Sequence, residues 1–155
     1  MNNNRLVELL INKGYKISCA ESCTGGMLAS SIVDVANASK VMDMSFVTYA
    51  DLAKVELINV KQETIDAFGV VSEEVAKEMA IGVKEKAKSN VGVSVTGLAG
   101  PSGGTLDKPV GMVCFGVCIN DMTYAYTELF GNIGRTEVRE KSVEFIISKL
   151  IELLS

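Results

Sequence analysis

The sequence predicts an α/β fold, a three-layer α/β/α arrangement around a mixed sheet of about five or six strands, and three observations carry that prediction. Short apolar runs rich in valine and isoleucine alternate along the chain with segments whose apolar residues recur at helical spacing, the pattern of strands covered by helices. The run Val91-Gly92-Val93-Ser94-Val95-Thr96 is valine-rich without polar alternation, as a strand buried on both faces requires. Two further runs, Met112 to Ile119 and Thr123 to Phe130, meet at Asn120-Asp121 and are close enough to pair as an antiparallel hairpin, which makes the sheet mixed.

The elements follow in order. Leu6, Leu9 and Leu10 have helical spacing, and Gly14 closes that helix before a strand at about Lys16 to Ala20. A second helix is expected after Gly26, running to about Val35. Met44 to Tyr49 reads as the second strand, followed by a helix near Leu52 to Ile58 with Val55 and Ile58 facing inward. Ser72 is a good N-cap for the next helix, Glu73 and Glu74 suit its positive end, and Lys84, Lys86 and Lys88 suit its negative end. Val75, Met79 and Val83 mark its buried face. The last helix, about Arg135 to Leu154, places Val143, Ile146, Ile147, Leu150 and Leu154 on one side. No internal repeat, low-complexity tract or linker interrupts the pattern, so residues 1–155 are expected to form one domain; at this length roughly two-thirds of the unfolded surface can be buried.

Composition excludes several function classes. With 15 Lys plus Arg against 19 Asp plus Glu, the net charge is −4, which lacks the positive field of a nucleic-acid binder. Glu8, Lys13, Lys16 and Glu21 interrupt the first hydrophobic region, and no uncharged run of about 18 residues occurs, so neither a signal peptide nor a membrane span is expected and a cytoplasmic location follows. Four cysteines fall in two Cys-x-x-x-Cys pairs, Cys19 with Cys23 and Cys114 with Cys118, which invites a zinc site. In a strand, however, Cys114 and Cys118 would stand about 13 Å apart, too far for one metal. Free buried thiols, no metal and no cofactor are therefore expected, with a symmetric homodimer as the default assembly.

Three constellations could do chemistry. The first is Ser22 with the backbone of Cys23, Thr24, Gly25 and Gly26, at a strand-to-helix turn where N–H groups and a hydroxyl converge and could stabilise an oxyanion. The plain alternative is that Ser22 or Thr24 caps the helix. The chain has no histidine, so a Ser-His-Asp triad cannot activate Ser22, and Cys23, a rival nucleophile, has no imidazole partner either. The second is the loop from Gly97 to Thr105, with Gly97, Gly100, Gly103 and Gly104 directly after a strand. Its N–H groups would suit a phosphate or carboxylate, although it is neither a Walker loop nor a dinucleotide fingerprint and could be only a wide turn. The third is Lys54 with Tyr49. A lone lysine is usually a solvated charge, but without histidine it is the most credible base, provided burial lowers its pKa.

Five ordered blocks then resemble one family. Ala-Glu-Ser-Cys-Thr-Gly-Gly at 20–26, Phe-Val-Thr-Tyr with Ala-Lys at 46–54, Gly-Val-Val-Ser-Glu at 69–73, Gly-Leu-Ala-Gly-Pro-Ser-Gly-Gly at 97–104 and Lys-Pro-Val-Gly at 108–111 are together similar to the CinA carboxy-terminal domain family. The resemblance implies a stand-alone form of a nicotinamide-nucleotide amidohydrolase, which converts nicotinamide mononucleotide to nicotinate mononucleotide and ammonia. It implies Ser22 as nucleophile, Lys54 as base with Tyr49 nearby, and Thr96 with Gly97, Gly100, Ser102, Gly103 and Gly104 contacting a nucleotide. The family's Gly-x-Arg-x-x-(Ile/Val)-Arg element is only partly matched by the stretch from Gly131 to Arg139, which leaves the phosphate role of Arg135 open, and Arg139 is expected to pair with an acid on the helix surface. Two other readings stand beside the amidase: a catalytically silent nucleotide-binding or regulatory module, and a partner-binding domain in DNA uptake or repair.

Overall fold

The computed structural model describes residues 2–155. Its elements are α1 (Asn3–Lys13), β1 (Ile17–Glu21), α2 (Met27–Val33), a single 3₁₀ turn (Ala38–Lys40), β2 (Phe46–Val47), α3 (Asp51–Ile58), α4 (Gln62–Phe68), α5 (Glu73–Ala87), β3 (Val91–Gly97), β4 (Met112–Ile119), β5 (Met122–Leu129) and α6 (Arg135–Leu154). The five strands form one mixed sheet in the order β2-β1-β3-β4-β5. β1 runs parallel to both β2 and β3, whereas β3 with β4 and β4 with β5 are antiparallel.

Side-chain alternation on the strands divides the core into two layers. Ile17 and Cys19 of β1, Val91, Val93 and Val95 of β3, and Val113, Phe115 and Val117 of β4 pack against Leu6 and Leu10 of α1, Leu28 and Ile32 of α2, and Val138, Ile146 and Leu150 of α6. On the other face, Ala20 meets Ile58 of α3, Ile65 of α4, and Val75, Met79 and Val83 of α5. This is the three-layer α/β/α arrangement that the alternating pattern predicts. α5 lies close to the sheet because the strands offer it almost no side chain: a Cβ at Gly92 would stand 2.1 Å from the Ala80 carbonyl oxygen, and one at Gly116 would stand 2.2 Å from that of Ala76. Ser94, between them, donates its hydroxyl to the same Ala76 carbonyl at 2.6 Å.

The local signals behave as expected at most ends. Gly14 takes the left-handed conformation, φ +68°, that closes α1, and Ser72 accepts the Val75 N–H as the N-cap of α5. Two expectations need correction. The strand foreseen at Met44 to Tyr49 shrinks to Phe46–Val47, because β2 is an edge strand and only Ala20 and Glu21 of β1 pair with it. α4, which has no sequence counterpart above, is a seven-residue helix whose single fully inward residue, Ile65, gives too weak a period to read. All four cysteines are free and buried. Cys19 packs on the face that carries α1, while Cys114 packs with Val71 and Ala76 on the α5 face, so the sheet itself separates them.

Candidate active site

The three parallel strands end at the same edge of the sheet, and each delivers one group there. β1 releases the chain at Ser22, β2 is followed by Thr48 and Tyr49 and then α3, and β3 ends at Thr96 and Gly97. The chain passes from β1 outward to β2 on one side and returns to β3 on the other, so Ser22 and Thr96 flank the point where strand order reverses, the usual position of a ligand crevice in such sheets. A cavity of about 180 Å³ opens there, lined by residues that include Ser22, Lys54, Thr96 and Arg135.

Lys54 is the decisive residue. It sits on the first turn of α3 and is only 1 % exposed, which makes it one of the largest fully buried side chains in the molecule. Its Nζ lies 3.3 Å from Ser22 Oγ, 2.8 Å from the Thr48 carbonyl oxygen and 3.2 Å from the Tyr49 carbonyl oxygen. Burial pulls its pKa below the ordinary lysine value, against the opposing influence of the Asp51 carboxylate and of Cys23. Two of the three neighbours are carbonyls, which can only accept. A neutral amine has two N–H bonds and one lone pair, so when both N–H groups satisfy the carbonyls, the lone pair is left facing the Ser22 hydroxyl. Cys23, also buried, has its thiol pushed up to about 11 by that burial, which keeps it protonated and a poor nucleophile near neutral pH.

The turn after Ser22 is not a capped helix start of the simple kind. Among the described residues, neither the Ser22 nor the Thr24 side chain caps α2, although the Thr24 carbonyl accepts the Met27 N–H at 2.9 Å; the carboxylate of Glu21, 1 % exposed, accepts the N–H groups of Gly26 (3.2 Å), Leu28 (2.8 Å) and Ala29 (2.9 Å). The Gly25 N–H is also engaged, on the Ser22 carbonyl at 3.1 Å. Of the four residues expected to offer N–H groups, only Cys23 and Thr24 keep theirs without an acceptor among the described residues. Cys23 lines the cavity, whereas Thr24 is fully buried.

The remaining expected residues divide. Thr96 lines the cavity and donates its hydroxyl to the Val70 carbonyl at 2.9 Å, and Gly97 lies beside it. The Tyr49 hydroxyl does not reach Lys54; it accepts from Arg135 at 3.1 Å, so Tyr49 touches the lysine only through its carbonyl. Arg135 also donates to the Gly100 carbonyl at 2.7 Å and thereby ties α6 to the glycine loop across the cavity mouth. Ser102, Gly103 and Gly104 are exposed on that loop and lie outside the cavity lining. Arg139 departs from expectation: among the described residues it pairs with no acid and instead donates to the Cys23 carbonyl at 2.9 Å and the Thr24 carbonyl at 3.2 Å. Asp51, Val70 and Val71 complete the wall without having been singled out in the sequence. Val70 and Val71 fall within the family block at 69–73, and Asp51 carried a signal of its own, an acid three residues before a helix-borne lysine.

Comparisons with known proteins agree on one family. The model of the CinA C-terminal domain matches residues 2–154. A CinA-like protein of Petrotoga mobilis is 44% identical over 149 residues, which cover 96% of this chain and 37% of that protein. A CinA-like protein of Kosmotoga olearia is 45% identical over 142 residues, covering 92% and 34% respectively, so the chain spans about a third of the length of these relatives. Among solved structures, the competence/damage inducible protein CihA from Agrobacterium tumefaciens superposes with a TM-score of 0.93 at 37% identity, covering 100% of this chain and 97% of that one. The competence or damage-inducible protein from Enterobacter asburiae superposes at 0.95 with 33% identity, covering 99% and 96%.

Proposed function

This chain belongs to the CinA C-terminal domain family, and on that premise we propose that it is a serine amidase that deamidates nicotinamide mononucleotide to nicotinate mononucleotide and ammonia, a step of pyridine nucleotide salvage. The observation that carries the reading is the buried Lys54 amine, 3.3 Å from Ser22 Oγ, with two backbone carbonyls occupying its N–H groups. In the first half-reaction the Lys54 lone pair takes the Ser22 proton as Oγ bonds to the carboxamide carbon, and the carbonyl oxygen becomes an oxyanion held by backbone N–H. Collapse of that intermediate breaks the carbon–nitrogen bond, and protonated Lys54 gives its proton to the departing amine, which leaves as ammonia. Water then adds to the Ser22 ester, Lys54 takes the water's proton, the Oγ–carbon bond breaks, and the proton returns to Ser22.

The dimensions of the site support a pyridine carboxamide. A cavity of about 180 Å³ is smaller than the roughly 300–1,000 Å³ that encloses a drug-sized ligand, so it suits the ring and amide while ribose and phosphate lie toward the mouth. There Arg135, with two of its donors on Gly100 and Tyr49, has further donors and its charge for a phosphate near the glycine loop. Among the described residues Asp51 is the one carboxylate in the cavity lining, and it offers a counter-charge to a cationic pyridinium ring. The test is ammonia release from nicotinamide mononucleotide by the purified chain and by Ser22→Ala. The variant should lose turnover while its affinity for the nucleotide stays within a few-fold; a parent that binds the nucleotide without turnover would support a silent binding module instead.

A further inference from the structure

We infer that Arg139 and Glu21 are positioning residues which together shape the oxyanion hole, and that its donor is the Cys23 N–H. The inference rests on the serine-amidase reading above. It comes from accounting for the backbone groups of the nucleophile turn. The Ser22 N–H donates to the Val95 carbonyl of β3 at 2.9 Å, and the Gly25 N–H donates to the Ser22 carbonyl at 3.1 Å. Arg139 Nε holds the Cys23 carbonyl and its Nη2 holds the Thr24 carbonyl, which also accepts the Met27 N–H at 2.9 Å. Glu21 takes the N–H groups of Gly26, Leu28 and Ala29. The N–H groups of Cys23 and Thr24 are left without an acceptor among the described residues, and of these two residues it is Cys23, which follows the nucleophile, that lines the cavity.

Peptide planarity converts those bonds into a direction. Across a trans peptide the C=O and the following N–H point opposite ways. Arg139 and the Met27 N–H together fix the Thr24 carbonyl, which turns the Gly25 N–H onto the Ser22 carbonyl; that bond fixes the Ser22–Cys23 peptide and turns the Cys23 N–H away from it. A guanidinium on α6 thus sets the aim of a donor two peptides away, and its planar fork matches two successive carbonyls in a way that a lysine ammonium cannot. Glu21 supplies the complement. Its carboxylate occupies the positive end of α2, so a developing anion finds no competing N–H groups there and is directed to Cys23.

The experiment measures kcat and KM for ammonia release, together with the rate at which a fluorophosphonate labels Ser22, since the phosphonyl oxygen would use the same donor. For Arg139→Met, kcat and the labelling rate should each fall roughly 100-fold, the scale of a misplaced reacting group. KM should stay within about threefold of the parent, because the lost interaction is made only in the transition state. Arg139→Lys should be intermediate, and millimolar guanidinium chloride should restore part of the Arg139→Met rate. A tenfold or greater rise in KM with kcat retained would make Arg139 a substrate ligand and overturn the inference. So would kcat and labelling within about threefold of the parent in the folded variant. Should Arg139→Met fail to fold, Glu21→Gln is judged by the same thresholds, since its amide opposes the Ala29 N–H while keeping the side chain's size. A parent that labels at Ser22 but releases no ammonia rejects the nucleotide substrate and leaves the labelling series to judge the clamp. A parent that does not label at Ser22 overturns the clamp.

Discussion

Replacing Lys54 with methionine separates the catalytic role proposed for the lysine from its effect on stability, and the second effect has a pH signature that can be worked out in advance. The unfolded chain should titrate this amine near the ordinary lysine value of 10.5, whereas burial lowers its pKa in the fold. Between the lowered value and 10.5 the unfolded state binds more protons than the folded state, so the parent gains stability as pH rises through that window, at up to about 1.4 kcal/mol per pH unit. The contribution is complete above 10.5 and is lost as pH falls through the folded pKa. Methionine keeps the apolar stem and removes the titration. It also leaves the buried Thr48 carbonyl without its donor, a cost of about 1–3 kcal/mol that does not vary with pH. The readout is therefore a slope and not an absolute difference. Urea unfolding followed by circular dichroism, repeated from about pH 7 to 10.5, should show the parent-minus-variant stability climbing toward alkaline pH, while ammonia release in the variant falls by about 10²–10⁴-fold. A difference that stays flat or declines across the window would mean that Lys54 is as readily charged in the fold as in the unfolded chain, and the neutral-base mechanism would fail with it.

Two further outcomes follow from neighbouring residues. A neutral Lys54 base makes kcat/KM rise with pH, and Asp51→Asn removes the carboxylate that holds the Lys54 pKa up, so that rise should move to lower pH, and the KM for the nucleotide with its cationic ring should increase; an unmoved profile would show that the carboxylate does not act on the amine. Gly116→Ala puts a Cβ 2.2 Å from the Ala76 carbonyl oxygen and 2.8 Å from Ser94 Oγ, so α5 must retreat. Overpacking of this kind costs about 1–3 kcal/mol or more, and at about 2–4 °C per kcal/mol the melting temperature should drop by several degrees. A variant that melts with the parent would mean that α5 can shift without loss.

The fold was legible wherever one short stretch carries its own cause. Gly14 and Ser72 end and begin their helices through local backbone chemistry, and the valines of β3 are buried on the face where alternation puts them. β2 and α4 were not, because an edge strand of two residues and a helix with one buried anchor leave no period to detect. The site divides in the same way. Ser22 and Lys54 stood out through the missing histidine and the family blocks, and the structure puts them within 3.3 Å. Arg139 could not be placed from the sequence, since its two carbonyl partners lie 116 and 115 residues away. Glu21 reads as an ordinary acid at a strand end until α2 is seen to start above it.

The antiparallel hairpin has a consequence for handling the molecule. Ile119 pairs with both Val91 and Met122, and Val91 pairs with Ile17, so the turn at Asn120-Asp121 sits beside the starts of β1 and β3, at the end of the sheet remote from Ser22 and Thr96. A fluorophore, an affinity handle or an inserted peptide at Asp121 would ride on the far rim, separated from the candidate site at Ser22 by the length of the strands. The molecule therefore has a working end and a grip, and immobilised or labelled forms can be built from the grip.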